Sequence, residues 1–254
     1  KVRIGNPISI NDQNEHESLV DFTAFLRKKT YMLSNAFQKK KLLDNIPKTL
    51  KFPKPPKKIA GPVNTDADDV SNNLYYDGTK MLFHRQDGEI SNIYESQLKG
   101  VDWMIPKKMH RNISTKNNEA YASYNHDRYK LYSAREVPGG KSGFDIVVNE
   151  VQDFRTMEYG TSQRLNIANT GFNEGPMYLT PDGKTMYFAS EGHNSMGGYD
   201  IFVMKFVQGQ WTKPENLGYP INTQFDDFFF ASTTNGKFAY IASNRKGGKG
   251  NDDI

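Results

Sequence analysis

Four carboxylates recur at near-constant spacing in this chain of 254 residues: Asp69, Glu119, Glu174 and Asp227. Each closes an acidic or amide pair: Asp68-Asp69, Asn118-Glu119, Asn173-Glu174 and Asp226-Asp227. A short apolar or aromatic run follows every pair, and Glu17 stands in a weaker fifth copy. Carboxylates so placed have two chemistries. A ring of them supplies hard oxygen ligands to a cation. Singly, each accepts hydrogen bonds from backbone N–H groups or an arginine and pins adjacent segments. Four equivalent positions favour the pinning role. Asp145, Asp200 and Asp253 recur likewise, as do Arg85, Arg135 and Arg245, and these read as an architectural ion-pair network.

A second constellation breaks the pattern. Residues 38–62 hold eight lysines against one acid, Asp44, with Pro53 and the Pro55-Pro56 pair stiffening the segment. Lys39, Lys40, Lys41, Lys54, Lys57 and Lys58 offer an extended cationic surface to an acidic partner or anionic envelope polymer. The plainer reading is a solvated outer strand and loop. Residues 1–60 carry 13 basic and 5 acidic groups, yet the whole chain is only +4. That is too mild to point to nucleic acid.

Other chemistries find no support. Nucleophilic catalysis needs a nucleophile, a base and an orienting group. No G-x-S-x-G elbow or H-E-x-x-H pattern is present, and none of the five histidines sits in a recognisable motif. His84 falls where other copies place Ala189 and Ala242, which suits a packing variant. The absence of cysteine excludes disulfides, thiol catalysis and Cys-containing zinc sites. The Gly-rich loops join antiparallel strands and so lack the helix start that binds phosphate. No cofactor and no metal is expected. No apolar run reaches the roughly 18 residues of a membrane span. Asn112-Ile113-Ser114 fits a glycosylation sequon, but it falls on a repeat joint where such residues recur for structural reasons.

The elements that position these residues come from an internal repeat. Asn169 to Ser190 and Asn222 to Ser243 align without a gap at an offset of 53, and Asn64 aligns with Asn169 at 105. Weaker copies start at Ser114 and near Ser9. Each has an Asn-Thr-like leader, the acidic pair, a strand, a turn, a second alternating strand, a loop and a third strand. The turns Asp77-Gly78, Pro181-Asp182-Gly183 and Asn235-Gly236 are hairpin signals. A fourth segment carries Trp103 or Trp211 and ends in a Gly/Pro joint. Four short strands per period of about 50 residues describe a propeller blade. The expectation is an all-β propeller of four-stranded antiparallel blades. Five blades are expected, at about 9–58, 59–112, 113–165, 166–219 and 220–254, with 1–8 closing the last. Six is the alternative if the protein continues. Residues 17–45 also admit an amphipathic helix; a strand pair is preferred.

The stretch Pro181-Asp182-Gly183-Lys184, then Met186 to Ser190, resembles the WD40-like PD40 repeat, also seen in TolB-like propellers. So do Gly197 to Ile201 and Ser243 to Gly248. The run from Trp211 to Thr223, W-x-x-P-x-N-L-G-x-P-I-N-T, is similar to Bacteroidetes OmpA-family envelope proteins, including PorE-like components of the type IX secretion system. That resemblance is carried best by residues 166–254. It implies one propeller excised from a multi-domain, periplasmic, outer-membrane-associated protein. It implies a non-enzymatic interaction platform whose partners are other envelope or secretion proteins. Peptidoglycan would be reached only through a domain outside this chain. The alternatives are a propeller accessory to a peptidase or hydrolase, or a propeller binding a cation or glycan at its channel mouth.

Overall fold

The computed structural model describes residues 59, 61–75, 78–137, 143–232 and 239–246. Every regular element among them is a strand, and every pairing is antiparallel. The first sheet holds β1 (Asp69–Leu74), β2 (Lys80–Asp87), β3 (Ile90–Lys99), β4 (Asp102–Trp103) and β5 (Lys107–Lys108). The second holds β6 (Glu119–Tyr124), β7 (Lys130–Glu136), β8 (Phe144–Asp153), β9 (Glu158–Tyr159) and β10 (Gln163–Arg164). The third holds β11 (Glu174–Leu179), β12 (Thr185–Ser190), β13 (Asp200–Val207), β14 (Gln210–Trp211) and β15 (Glu215–Asn216). β16 (Asp227–Ser232) and β17 (Ala239–Ser243) form a fourth, two-stranded ladder.

Each large sheet has the anatomy of a blade, with one departure from expectation. The outer edge is not one strand. It is two two-residue segments, both paired to the third strand: β4 and β5 on β3, β9 and β10 on β8, β14 and β15 on β13. Trp103 and Trp211 stay paired to Leu98 and Phe206; pairing lapses just beyond Met104 and Thr212 and resumes at Lys107 and Glu215.

The inner strands lie side by side, β1 beside β6, β6 beside β11 and β11 beside β16. Each carries an irregularity near its start, as between Ala120 and Ser123, where Tyr121 adopts φ 55°. A sheet buried on both faces needs apolar residues on both, and the second and third strands supply them. Leu82, Ile93, Ala122, Tyr124, Leu131 and Tyr159 fill the layer between the first two sheets. Ala134, Ile146, Met177, Met186, Phe188 and Phe202 fill the next. Each of the larger side chains contributes roughly 1.5–3 kcal/mol on burial, so the layers rather than any single sheet hold the fold.

The inner hairpins explain the turn residues. Gly78 and Gly183 take φ of 71° and 67°, and their N–H groups donate to Tyr75 and Thr180 carbonyls at 2.7 Å. In the second sheet Arg128 occupies the same position at φ 60°. A non-glycine residue there costs about 1–2 kcal/mol, against which its guanidinium lies 5.0 Å over the Tyr75 ring. Asp77, Asn235 and Gly236 lie outside the described residues, as do the first repeat and residues 1–8.

Candidate functional site

The repeated carboxylates open the inner strands: Asp69, Glu119, Glu174 and Asp227 are each a strand's first residue. Each is held by a threonine four residues earlier. The hydroxyls of Thr65, Thr115, Thr170 and Thr223 donate to the acids, and three of these threonines also donate their backbone N–H. The same hydroxyls accept from the N–H two residues on. Across the hairpin, Arg85 meets Asp69 at 2.6 Å, Arg135 meets Glu119 at 3.1 Å, and Arg245 contacts Asp227. The arginines reach past the acids to the Val63, Ile113 and Ile221 carbonyls at 2.8–2.9 Å. The recurring arginines therefore serve these acids.

The pair's first residue works outward, on the preceding sheet. Asn118, Asn173 and Asp226 accept from the N–H groups of Ser91, Phe144 and Tyr199 at 2.8–3.1 Å. The leaders do the same. Asn169 and Asn222 each accept from and donate to one third-strand residue, Ile146 and Ile201, and Ser114 does so on Ile93. Motif and joint together form an inter-sheet clasp. The structure thus places the predicted site acids in separate clasps, one per sheet. Among the described residues no group of three or more His, Asp or Glu side chains is placed to hold a metal ion.

The third sheet departs from the pattern. Gly192 stands where Arg245 stands, and His193 Nε2 donates to the Ala168 carbonyl at 2.8 Å. Glu174 is left with Thr170 and Ser190, and its buried Oε2 has no hydrogen bond of good geometry. Burial therefore pushes Glu174 above the ordinary carboxylate range, aided by the nearby Asp145 charge. Burial also raises Glu119, with Thr115 and Arg135 opposing it. For Asp69 burial again pulls upward, but Arg85 and Thr65 outweigh it and the carboxyl sits low.

Third-strand aspartates are paired apart from the arginines named above. Asp145 faces Arg164 at 2.7 Å. Asp200 accepts from the Met196 N–H and Asn216 at 2.8 Å, and burial raises its carboxyl. His84 sits in the layer between the first two sheets, its ring 5.3 Å from Tyr121. Burial holds it neutral, down to about 4.

The opposite end of the inner strands is built differently. Turns join neighbouring sheets there: Tyr75 donates to the His126 carbonyl at 2.7 Å, His126 Nδ1 to the Pro181 carbonyl at 2.6 Å, and Tyr178 to the Ser232 carbonyl at 3.0 Å. Within that rim lies a cavity of about 450 Å³, reached by all four inner strands. Its walls are Leu74, Leu82, Leu179 and Pro181 with the rings of Tyr124 and Tyr178. Among the described residues no Lys, Arg, Asp or Glu lines it.

Exposed apolar side chains gather at this turn end. Leu74, Val101, Tyr129, Phe154, Val207 and Tyr240 lie there, with Met104 and Ile105 following on the outer edge. The acid end shows Val70, Ile167 and Phe172. Val101 is 90 % exposed at its hairpin tip, too open for a packing role. This surface escapes a sequence reading centred on charged motifs. The signal for it was an apolar residue in or beside each outer hairpin, Val101, Phe154 and Val207. The basic segment from Lys39 to Lys58 lies outside the described residues.

No family profile and no curated protein matches the chain. Among solved structures it is similar to a putative TolB from Agrobacterium tumefaciens, at 18% identity and a TM-score of 0.47, over 68% of this chain and 53% of that one. TolB from Acinetobacter baumannii follows at 18% identity and 0.45, over 69% and 37%. A thermostable family-43 glycoside hydrolase stands at 12% and 0.45, over 73% and 69%. The chain spans about half the first of these structures and less of the second. Nothing about activity follows from these likenesses. No helix among the described residues is long and apolar enough to cross a membrane.

Proposed function

We propose that this chain is a non-catalytic interaction propeller that works through its turn end. The supporting observation is the division between the two ends of the inner strands. At the acid end, carboxylates, arginines and joint residues are consumed in clasping sheets. At the turn end, apolar side chains stay exposed, and the inner strands there border a cavity with a hydrogen-bonded rim. Exposed apolar patches on soluble proteins mark binding sites, and a rigid surface loses little order when it binds.

The wider setting rests on the sequence resemblance. The count of five blades, closed by residues 1–8, with six as the alternative, comes from the internal repeats, and the resemblance supplies the setting. On that resemblance the propeller belongs to an OmpA-family, outer-membrane-associated protein of the periplasm, in type IX secretion or envelope assembly. Its partners are other envelope or secretion proteins. The lysine segment is a second contact surface.

The test is affinity capture from envelope extract with three baits. These are the wild type, Val101→Glu/Phe154→Glu/Val207→Glu, and a variant with Lys39, Lys40, Lys41, Lys54, Lys57 and Lys58 changed to Gln. Loss of captured envelope proteins with the first variant supports the turn end. Equal capture by wild type and that variant moves the surface elsewhere. No capture by any bait removes the interaction reading.

A further inference from the structure

We infer that the turn-end cavity is an anchor pocket for an uncharged peptide segment of a protein partner, which inserts one aromatic or aliphatic side chain between the inner strands. This rests on the interaction reading above and adds what the partner presents. Three observations carry it.

The first is size and wall chemistry. The cavity of about 450 Å³ is bounded by Leu74, Leu82, Leu179 and Pro181 and by two tyrosine rings. Ligand sites start near 300 Å³ and are mostly apolar with a few placed polar groups. With no Lys, Arg, Asp or Glu among the described lining residues, a charged group entering it would lose hydration without gaining an ion-pair partner from them.

The second is a set of uncommitted neutral polar groups. Asn73, Ser123 and Ser232 line the cavity, and their side chains make no hydrogen bond among the described residues. Asn125 accepts at Oδ1 from the Lys130 N–H at 2.9 Å, which leaves its Nδ2 to donate. Two amides and two hydroxyls match the alternating N–H and C=O groups of an extended peptide. At the acid end Asp69, Glu119, Glu174 and Asp227 are taken up by the clasps, and at the rim Tyr75, His126 and Tyr178 by the turn bonds, whereas these four side chains keep hydrogen-bonding capacity at the cavity.

The third is the surround. A neutral saccharide also combines apolar faces with hydroxyls, but Leu74, Val101, Tyr129 and Phe154 are also exposed at this end, with the Tyr129 and Phe154 rings 4.7 Å apart. That surround favours a protein with an apolar contact belt over a free sugar. The rim is set before binding. Tyr75 and His126 hold adjacent turns, and a Cβ on Gly183 would lie 3.0 Å from the His126 nitrogen. Anchors in preformed pockets carry most of an interface's energy.

The experiment pans a phage-displayed library of random dodecapeptides on the full chain, with counter-selection on Leu74→Glu. Leu74 is 54 % exposed, so this change puts a charge at the cavity without disturbing the core. Asn73→Leu is the second variant, and melting temperatures confirm that both fold. The expected result is enrichment of uncharged sequences centred on Trp, Phe or Leu. Their binding should weaken at least tenfold on either variant. Overturning results are no enrichment over Leu74→Glu, peptides that bind both variants as tightly as wild type, or enriched sequences with a charged centre. Maltohexaose and chitohexaose run in parallel, and tighter binding of either than of any peptide also overturns the proposal. If envelope capture depends on Val101, Phe154 and Val207 while the peptide result fails, the interaction reading stands and the anchor pocket falls.

Discussion

His193 donates to the Ala168 carbonyl at 2.8 Å, the place that Arg245 takes on Ile221 one repeat later. The exchange keeps the carbonyl satisfied but leaves Glu174 without the cation that Asp69, Glu119 and Asp227 possess. The third sheet therefore carries a repeat carboxylate that is buried with no arginine beside it.

Glu174→Gln should stabilise the fold at neutral pH. A carboxyl raised in the folded state contributes stability that is full below its unfolded value, near 4.5, and is lost as pH rises through the folded value. The neutral amide removes that loss. The expected gain at pH 7.5 is on the order of 1 kcal/mol, or 2–4 °C at this chain length, and it should shrink toward pH 4. Melting curves across pH test it. A variant less stable than wild type at pH 7.5 contradicts it.

Arg135→Ala should be far costlier. It removes the partner of the fully buried Glu119 and three further bonds, to Ser162, Asn112 and Ile113. Stranding one half of a buried ion pair costs about 3–5 kcal/mol. Adding Glu119→Gln should restore part of the loss, since the coupled residues are not additive. Urea unfolding of both singles and the double measures this. Full additivity would show that the pair does not act as one clasp.

His84 should make the fold acid-sensitive. Burial depresses it to about 4 while the unfolded chain titrates near 6.5. Its stability is complete above 6.5 and is lost as pH falls toward 4. The penalty approaches roughly 3 kcal/mol at the acid limit. His84→Ala, the residue at Ala134, Ala189 and Ala242, should lower stability at pH 7 through its cavity yet flatten the decline between pH 6.5 and 4. Parallel pH profiles for the two proteins would contradict this.

Gly197→Ala should loosen the third sheet from the fourth. An added Cβ would lie 2.6 Å from the Phe225 oxygen and 2.8 Å from the Gln224 carbon, both backbone atoms that cannot swing aside. A loss of about 2–4 kcal/mol is expected, by analogy with overpacking and strain. Wild-type melting behaviour would show that the joint yields.

Much of the fold was legible because its signals are local. Period-two alternation marked Thr185 to Phe188 as a strand, and Gly78 and Gly183 marked turns that require positive φ. The acidic pairs were legible as repeats, and their pinning role followed from their equivalence. The division of labour inside each pair was not, since nothing local says that Asn173 faces Phe144 while Glu174 faces Thr170. Residues 104–106 and 212–214 gave no sign that the outer edge breaks in two. The turn-end surface stayed hidden for a geometric reason. Leu74, Val101 and Tyr129 fall at one end only once strand directions alternate across each sheet.

The most direct test of an interaction propeller working through its turn end is site-specific photo-crosslinking in cells. A photoreactive phenylalanine replaces Leu74, Val101 or Phe154 at the turn end, or Val70, Ile167 or Phe172 at the acid end, all exposed in the folded chain. The expected result is one shared adduct band from turn-end positions and none from acid-end positions. Adducts confined to the acid end, or none from any of the six, would contradict the assignment.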